Sequence, residues 1–79
     1  MRVEVLLPQW GMGMSEGVIN ACLKNVGDTV VEDEPIADVS AEKVDEELLA
    51  PESGTLVEIL AQPGDTVEVR TVVAIIETA

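Results

Sequence analysis

The sequence has no histidine, phenylalanine or tyrosine, and it has only one tryptophan, one cysteine and four basic residues. Without histidine, the usual catalytic triads and most zinc sites lose a member. A single cysteine, Cys22, excludes an intramolecular disulfide and a cysteine-based zinc site, so we predict that Cys22 is a small apolar residue on a strand. A free-standing enzyme therefore has little support, and we expect no metal.

Basic charge is also scarce, because sixteen acidic residues outnumber the four basic ones and leave a net charge of −12. Such a chain repels phosphate backbones and anionic lipid, so we exclude nucleic acid and membrane surfaces and expect a basic protein partner. No stretch approaches the roughly 20 apolar residues of a membrane helix. Residues 1–8 do not resemble a signal peptide. We expect a cytoplasmic protein, or a mitochondrial matrix protein if a transit peptide has been removed.

Aliphatic residues make up most of the apolar material. The chain is 79 residues long and 47% hydrophobic, which is too apolar for disorder and long enough for one small domain spanning residues 1–79. With almost no aromatics, its core must be built from Val, Ile, Leu and Ala. β-Branched residues favour strands, so we predict an all-β fold.

The chain repeats itself with a shift of 37 residues. Residues 17–23 align with 54–60, and 26–30 (VGDTV) align with 63–67 (PGDTV), which agree at four of five positions. Each Gly-Asp pair is a turn signal, because Gly accepts positive φ and Asp bonds nearby N–H groups. About eight short strands result. We predict two small antiparallel sheets, packed face to face or as a flattened barrel, with a pseudo-two-fold axis.

Lys43 is one of two lysines and lies between two predicted strands, residues 35–40 and 46–50, near the middle of the chain. The repeat would place its equivalent just past residue 79, so we expect Lys43 and the two termini at opposite edges of the domain. The other lysine, Lys24, has no such placement. A lysine at the tip of a central hairpin is accessible to other proteins, so Lys43 is our leading candidate for the functional residue.

Several short motifs resemble those of lipoyl domains, which belong to the biotinyl/lipoyl carrier superfamily. Gly27 lies in a Gly-Asp-x-Val turn 16 residues before Lys43, and Gly54 closes an Ala-Pro-x-x-Gly motif 11 residues after it. Residues 15–17 resemble the family's Glu-Gly motif, and residues 7–14 (LPQWGMGM) are similar to the opening of acyltransferase components of pyruvate- and acetoin-type complexes. The resemblance covers the whole chain and implies a flattened barrel or sandwich of two four-stranded antiparallel sheets.

The resemblance implies a swinging-arm carrier with lipoate joined to Lys43 by an amide. The domain would belong to a dihydrolipoamide acyltransferase component of a pyruvate- or acetoin-type 2-oxo acid dehydrogenase complex. It would not be an enzyme by itself. Its partners would be a lipoate-attaching enzyme, a thiamine-dependent decarboxylase, the acyltransferase core and dihydrolipoamide dehydrogenase. We expect Glu42, Val44, Gly27, Gly54 and Trp10 to contribute to recognition by these partners.

Two departures from the family pattern leave alternatives open. The usual Glu-Thr-Asp-Lys-Ala appears here as Ser40-Ala41-Glu42-Lys43-Val44, so Ser40 replaces an acid, which favours an unmodified structural adaptor. A biotinyl carrier is the other alternative, although that branch flanks its lysine with methionines. Glu34 and Arg70 stand where members often have glycine, and Cys22 stands where many have Trp.

The loop at residues 8–17 contains three glycines and a proline and is long for a hairpin. Two interpretations stay open for its large apolar residues. They form a partner-binding surface, or they fold back as a lid on the core. The residues are Trp10, Met12 and Met14.

Overall fold

The computed structural model describes residues 1–41 and 44–78, with the backbone alone at position 44. Eight β-strands make up its regular structure, as the sequence predicted. None of its elements is a helix able to span a membrane. The strands are β1 (Arg2–Leu6), β2 (Glu16–Cys22), β3 (Thr29–Val30), β4 (Pro35–Ala41), β5 (Val44–Leu49), β6 (Gly54–Ile59), β7 (Thr66–Glu68) and β8 (Val72–Glu77).

The strands form two four-stranded antiparallel sheets, in the orders β1-β8-β6-β3 and β5-β4-β2-β7. Each sheet takes strands from both halves of the chain. The shift of 37 residues maps β2, β3 and β4 onto β6, β7 and β8, and β1 takes the place of β5 at a shift of 43 residues, so the two sheet orders correspond. The predicted all-β fold and its pseudo-two-fold symmetry are confirmed. The domain is a flattened sandwich, 36 × 20 × 17 Å, rather than a closed barrel.

The core is aliphatic, as the lack of aromatics requires. No polar or charged side chain of the described part of the chain is buried, so the interior is held by apolar packing alone. Residues of most strands alternate between this core and the surface, which is the period of two expected for strands with one buried face. The alternation breaks at equivalent places in β4 and β8, where Ile36 and Ala37, and Val73 and Ala74, are buried as neighbours. The six largest fully buried side chains come from both halves: Leu7, Ile19, Val30, Val39, Leu56 and Ile76.

Each Gly-Asp turn hydrogen-bonds to a strand of the other half. The Gly27 N–H donates to the Leu56 carbonyl at 2.7 Å, and the Gly64 N–H donates to the Ile19 carbonyl at 2.7 Å. Both glycines have positive φ, 98° and 95°, which explains the need for glycine at these two positions. The halves are therefore interlocked by their turns rather than laid side by side.

The aspartates of these turns have the predicted local role. Asp28 Oδ2 accepts the Asn25 N–H at 2.8 Å, and Asp65 Oδ2 accepts the Gln62 N–H at 2.9 Å. Each carboxylate thus satisfies a backbone donor inside its own turn. The two turns repeat each other bond for bond.

Two further irregularities occur in both halves. The pairing register shifts at Asn20 in β2 and at Val57 in β6, so that each strand carries a β-bulge at the equivalent residue. Asp33 and Arg70 both adopt left-handed φ, 70° and 67°. The non-glycine residue that adopts this conformation in the first half is Asp33, not its neighbour Glu34.

We expect Gly54→Ala to destabilise the domain by about 3 kcal/mol. A Cβ at position 54 would overlap the carbonyl oxygen of Glu77 and lie 2.7 Å from Ile76 Cγ2, and the backbone of the inner strand β8 cannot move aside without loss of its sheet pairing. Gly11→Ala is the control, because a Cβ there meets nothing within 4 Å. Urea unfolding measures both variants, and equal losses would show that the close approach at Gly54 is not the cause.

Candidate functional site

The β4–β5 hairpin provides the frame for the predicted attachment lysine. Its two strands pair from Pro35↔Leu49 to Ala41↔Val44, with one register shift near Pro35. Glu42 and Lys43, which join these strands in the sequence, lie outside the described residues, as does the Val44 side chain. The backbone pairing therefore continues to the residues that flank Glu42 and Lys43 on both sides.

Strand β5 carries acids on both of its faces. Asp45 and Glu47 are exposed on the outer face, whereas Glu46 is half-buried and pairs with the fully buried Val39. β5 is an edge strand, and charges at an edge oppose pairing with another sheet. The same charges would attract a basic partner surface. Both interpretations of these acids stay compatible with the geometry.

A hydrogen-bonded chain of three side chains crosses the outer face of the second sheet. Asn20 Nδ2 donates to Ser40 Oγ at 2.6 Å, and Ser40 Oγ donates to Asp45 Oδ1 at 2.7 Å. Ser40 and Asp45 are directly opposite each other on β4 and β5, one pair before Ala41↔Val44. Asn20 is at the β-bulge of β2, two residues beyond Val18, which is directly opposite Ser40. Sequence reasoning did not find this arrangement.

The loop between β1 and β2 agrees with each of the two interpretations at a different residue. Met14 is buried in the core and its Sδ accepts the Trp10 N–H at 3.4 Å, so Met14 anchors the loop. Met12 is fully exposed. Trp10 is half-buried and packs against the core from outside. One methionine thus folds back onto the core, and the other stays available at the surface.

Trp10 also lines an open apolar groove between the edge strands β1 and β5. Its lining residues from β1 and the segment after it are matched, at a shift of 43 residues, by residues of β5 and the segment after that strand. Trp10 comes from the longer loop and has no counterpart, so it makes the groove asymmetric. The groove is lined by Glu4, Val5, Leu6, Pro8, Trp10, Glu47, Leu48, Leu49 and Pro51.

The glycines predicted to contribute to recognition have structural roles in the described fold. Gly27 closes the turn that docks on β6, and Gly54 starts β6 where β8 leaves no space for a Cβ. Recognition of either glycine by a partner stays a prediction. Their spacing from Lys43 follows from the architecture, since both lie at fixed points of the repeat.

Lys24 is engaged in an ion pair. Its Nζ lies 3.1 Å from Glu34 Oε2, and the other oxygen of Glu34 accepts the Val31 N–H at 3.0 Å. Two contacts hold the pKa of Glu34 below its usual range. The larger cause is the hydrogen bond from the Val31 N–H, and the second is the hydrogen bond from Lys24. Lys24 thus stabilises a turn and is a poor candidate for an exposed attachment site.

Cys22 lies at the end of β2, half-buried, where its thiol is 3.9 Å from the Ala61 carbonyl oxygen. Burial raises the pKa of the thiol, which disfavours the reactive thiolate. Cys22 also lines an apolar cavity of about 20 Å³ between the sheets. Within residues 1–41 and 44–78, no group of three or more acidic, histidine or cysteine residues is arranged to hold a metal.

Comparison with known families identifies the class of domain. The family model described as "Biotin-requiring enzyme" matches residues 3–76, and the chain belongs to this biotinyl/lipoyl family. The solution structure of the lipoyl domain of the 2-oxoglutarate dehydrogenase complex from Azotobacter vinelandii superposes with a TM-score of 0.78. It is 27% identical, and the match covers 98% of each chain. The resemblance to lipoyl domains is confirmed.

The curated relatives are acyltransferase components. The chain is 51% identical over 71 residues to the dihydrolipoyllysine-residue acetyltransferase component of the pyruvate dehydrogenase complex of Corynebacterium glutamicum, covering 90% of this chain and 10% of that protein. It is 39% identical over 79 residues to the corresponding component of the acetoin cleaving system of Bacillus subtilis, covering 100% and 20%. The chain thus spans only 10% and 20% of these two relatives.

We expect Cys22 to react with iodoacetamide about tenfold more slowly in the folded chain than in urea at the same pH, because burial disfavours its thiolate. The pH dependence of alkylation should move upward on folding. The same raised pKa adds stability below the ordinary thiol pKa, and that stability is lost as the pH rises through the raised value. Equal alkylation rates in folded and unfolded chains would contradict the buried environment of Cys22.

Proposed function

We propose that this chain is a swinging-arm carrier domain, in which lipoate is joined by an amide to Nζ of Lys43. The observation that carries the proposal is the β4–β5 hairpin. Its strands pair up to Ala41↔Val44, so a rigid antiparallel frame flanks the two residues that contain the lysine. A carrier needs such a frame, because the tethered group must be held away from the domain that bears it.

Lys43 fits this role better than the other lysine. Lys24 is paired with Glu34 beside a turn. Lys43 joins β4 to β5 in the sequence, and the pseudo-two-fold relates these two strands to the paired termini, where Arg2 is opposite Glu77. In the acylation cycle, Lys43 would hold the cofactor at the end of the β4–β5 frame. Bound lipoate supplies a dithiolane that takes up an acyl group and two electrons.

Lipoate is favoured over biotin by two observations. Glu42 and Val44 flank the lysine where the biotinyl branch has methionines, and the curated relatives named above are dihydrolipoyllysine acyltransferase components. The family model itself covers both kinds of carrier. An unmodified adaptor keeps its support from Ser40 alone.

The partners follow from the relatives' complexes. We propose a lipoate-attaching enzyme, a thiamine-dependent decarboxylase, an acyltransferase core and dihydrolipoamide dehydrogenase, with a pyruvate- or acetoin-type complex as the setting. A succinyltransferase component of a 2-oxoglutarate dehydrogenase complex, from Staphylococcus saprophyticus, is 41% identical over 92% of this chain and 17% of that protein. Similarity alone therefore does not select the 2-oxo acid. Cytoplasmic location stays a prediction.

The intact mass after incubation with a lipoate–protein ligase, ATP and lipoate tests the attachment. We expect an increase equal to lipoic acid less one water in the natural chain and in Lys24→Arg, and no increase in Lys43→Arg. A biotin ligase with biotin should add nothing. An increase that survives Lys43→Arg would refute the site, and biotinylation of a chain that takes no lipoate would refute the cofactor.

We expect Trp10→Ala to lower kcat/KM for reductive acylation by the thiamine-dependent decarboxylase about tenfold. We expect this loss because the substitution removes the one large aromatic surface beside the groove. Ligase-catalysed attachment of lipoate should change less than twofold. Met12→Ala, on the same loop and outside the core, is the control. A loss of acylation no larger than the loss of folded protein would assign Trp10 to packing instead.

A further inference from the structure

We propose that Asp45, held in place by Ser40 and Asn20, is the carboxylate by which the lipoate-attaching enzyme recognises this hairpin. The expected contact is a cationic side chain of that enzyme. The inference rests on the proposed function and adds to it the residue that determines specificity. Asp45 would be a positioning and recognition residue, since it touches the partner rather than the reacting Lys43 amine.

The directions of the hydrogen bonds fix the arrangement. A carboxylate only accepts, so Ser40 must donate its one proton to Asp45 Oδ1. The lone pairs of Ser40 Oγ are then available to Asn20 Nδ2, which donates to them. Asp45 is thereby held through Oδ1, while its exposed side chain leaves Oδ2 for a partner. A carboxylate fixed in advance loses less conformational entropy on binding than a freely rotating one.

The position of this carboxylate suits recognition of the hairpin. Asp45 is one residue past Val44, the backbone of which pairs with Ala41. Glu47 lies on the same outer face of β5 two residues further along, with no side-chain hydrogen bond among those found in the described chain. Of these two exposed acids, the one nearer the predicted attachment lysine is the one that is held.

The equivalent place in the other half of the domain is built differently. There Arg2 stands for Asp45 and Glu77 stands for Ser40, and their side chains form an ion pair with Nε–Oε2 at 3.5 Å. The bulged residue in this half is Val57, the aliphatic side chain of which has no amide that could donate a hydrogen bond. The frame is repeated but the polar chain is not, so the fold does not require Asn20, Ser40 and Asp45 together.

The test is the steady-state kinetics of lipoate attachment with the domain as the varied substrate. We expect Asp45→Asn to raise KM about tenfold with kcat unchanged within twofold. Ser40→Ala should raise KM about threefold, because the carboxylate is kept but no longer held. Glu47→Gln is the matched control, with the same loss of charge on the same face, and should change KM less than twofold. Thermal unfolding must show each variant folded.

The exchange variant Ser40→Asp with Asp45→Ser makes the test specific. The two positions are directly opposite, so the exchange keeps one carboxylate and one hydroxyl on the same pair. We expect KM within threefold of the natural chain. Equal effects of Asp45→Asn and Glu47→Gln, or an exchange variant as impaired as Asp45→Asn, would overturn the proposal while attachment at Lys43 stands. No attachment to the natural chain would remove both this proposal and the proposed function.

Discussion

The reciprocal docking of the two Gly-Asp turns is the constraint on which the rest of the structure depends. Gly27 bonds to β6 and Gly64 bonds to β2, so each half is fastened to a strand of the other. This interlocking lets a chain of only 79 residues form one domain around an aliphatic core, with no buried polar or charged side chain in its described part. It also relates the central β4–β5 hairpin to the paired termini by symmetry.

The surface features that a partner could recognise are found where the two halves of the domain differ. The first half has a longer loop, which adds Trp10 to an otherwise symmetric groove. The Asn20–Ser40–Asp45 chain joins β2, β4 and β5, whereas the equivalent place on β1 and β8 has the Arg2–Glu77 ion pair. A duplicated frame supplies the rigidity, and its unmatched residues supply the surfaces that partners can distinguish. Cofactor chemistry needs nothing more from such a domain than a fixed point of attachment.

Much of the fold was predictable because its signals are local. The 37-residue repeat, the two Gly-Asp turns and the β-branched runs predicted eight strands and the pseudo-two-fold. The different burial of Met12 and Met14 was not predictable, because both have the same glycine-rich context and only tertiary packing selects Met14. The bond from Asn20 to Ser40 was not predictable, because it depends on how β2 pairs with β4 and on a β-bulge that the sequence does not signal.

The proposed carrier holds its cargo on Lys43, between β4 and β5, as it moves among successive enzymes. Peptide mapping of the lipoate-loaded domain after incubation with a thiamine-dependent decarboxylase and its 2-oxo acid tests this directly. We predict that the acyl mass appears on the peptide containing Lys43 and is removed when coenzyme A and the acyltransferase core are added. Loaded domain that is never acylated by pyruvate-, acetoin- or 2-oxoglutarate-type decarboxylases, or acyl mass on a Lys24 peptide, would contradict it.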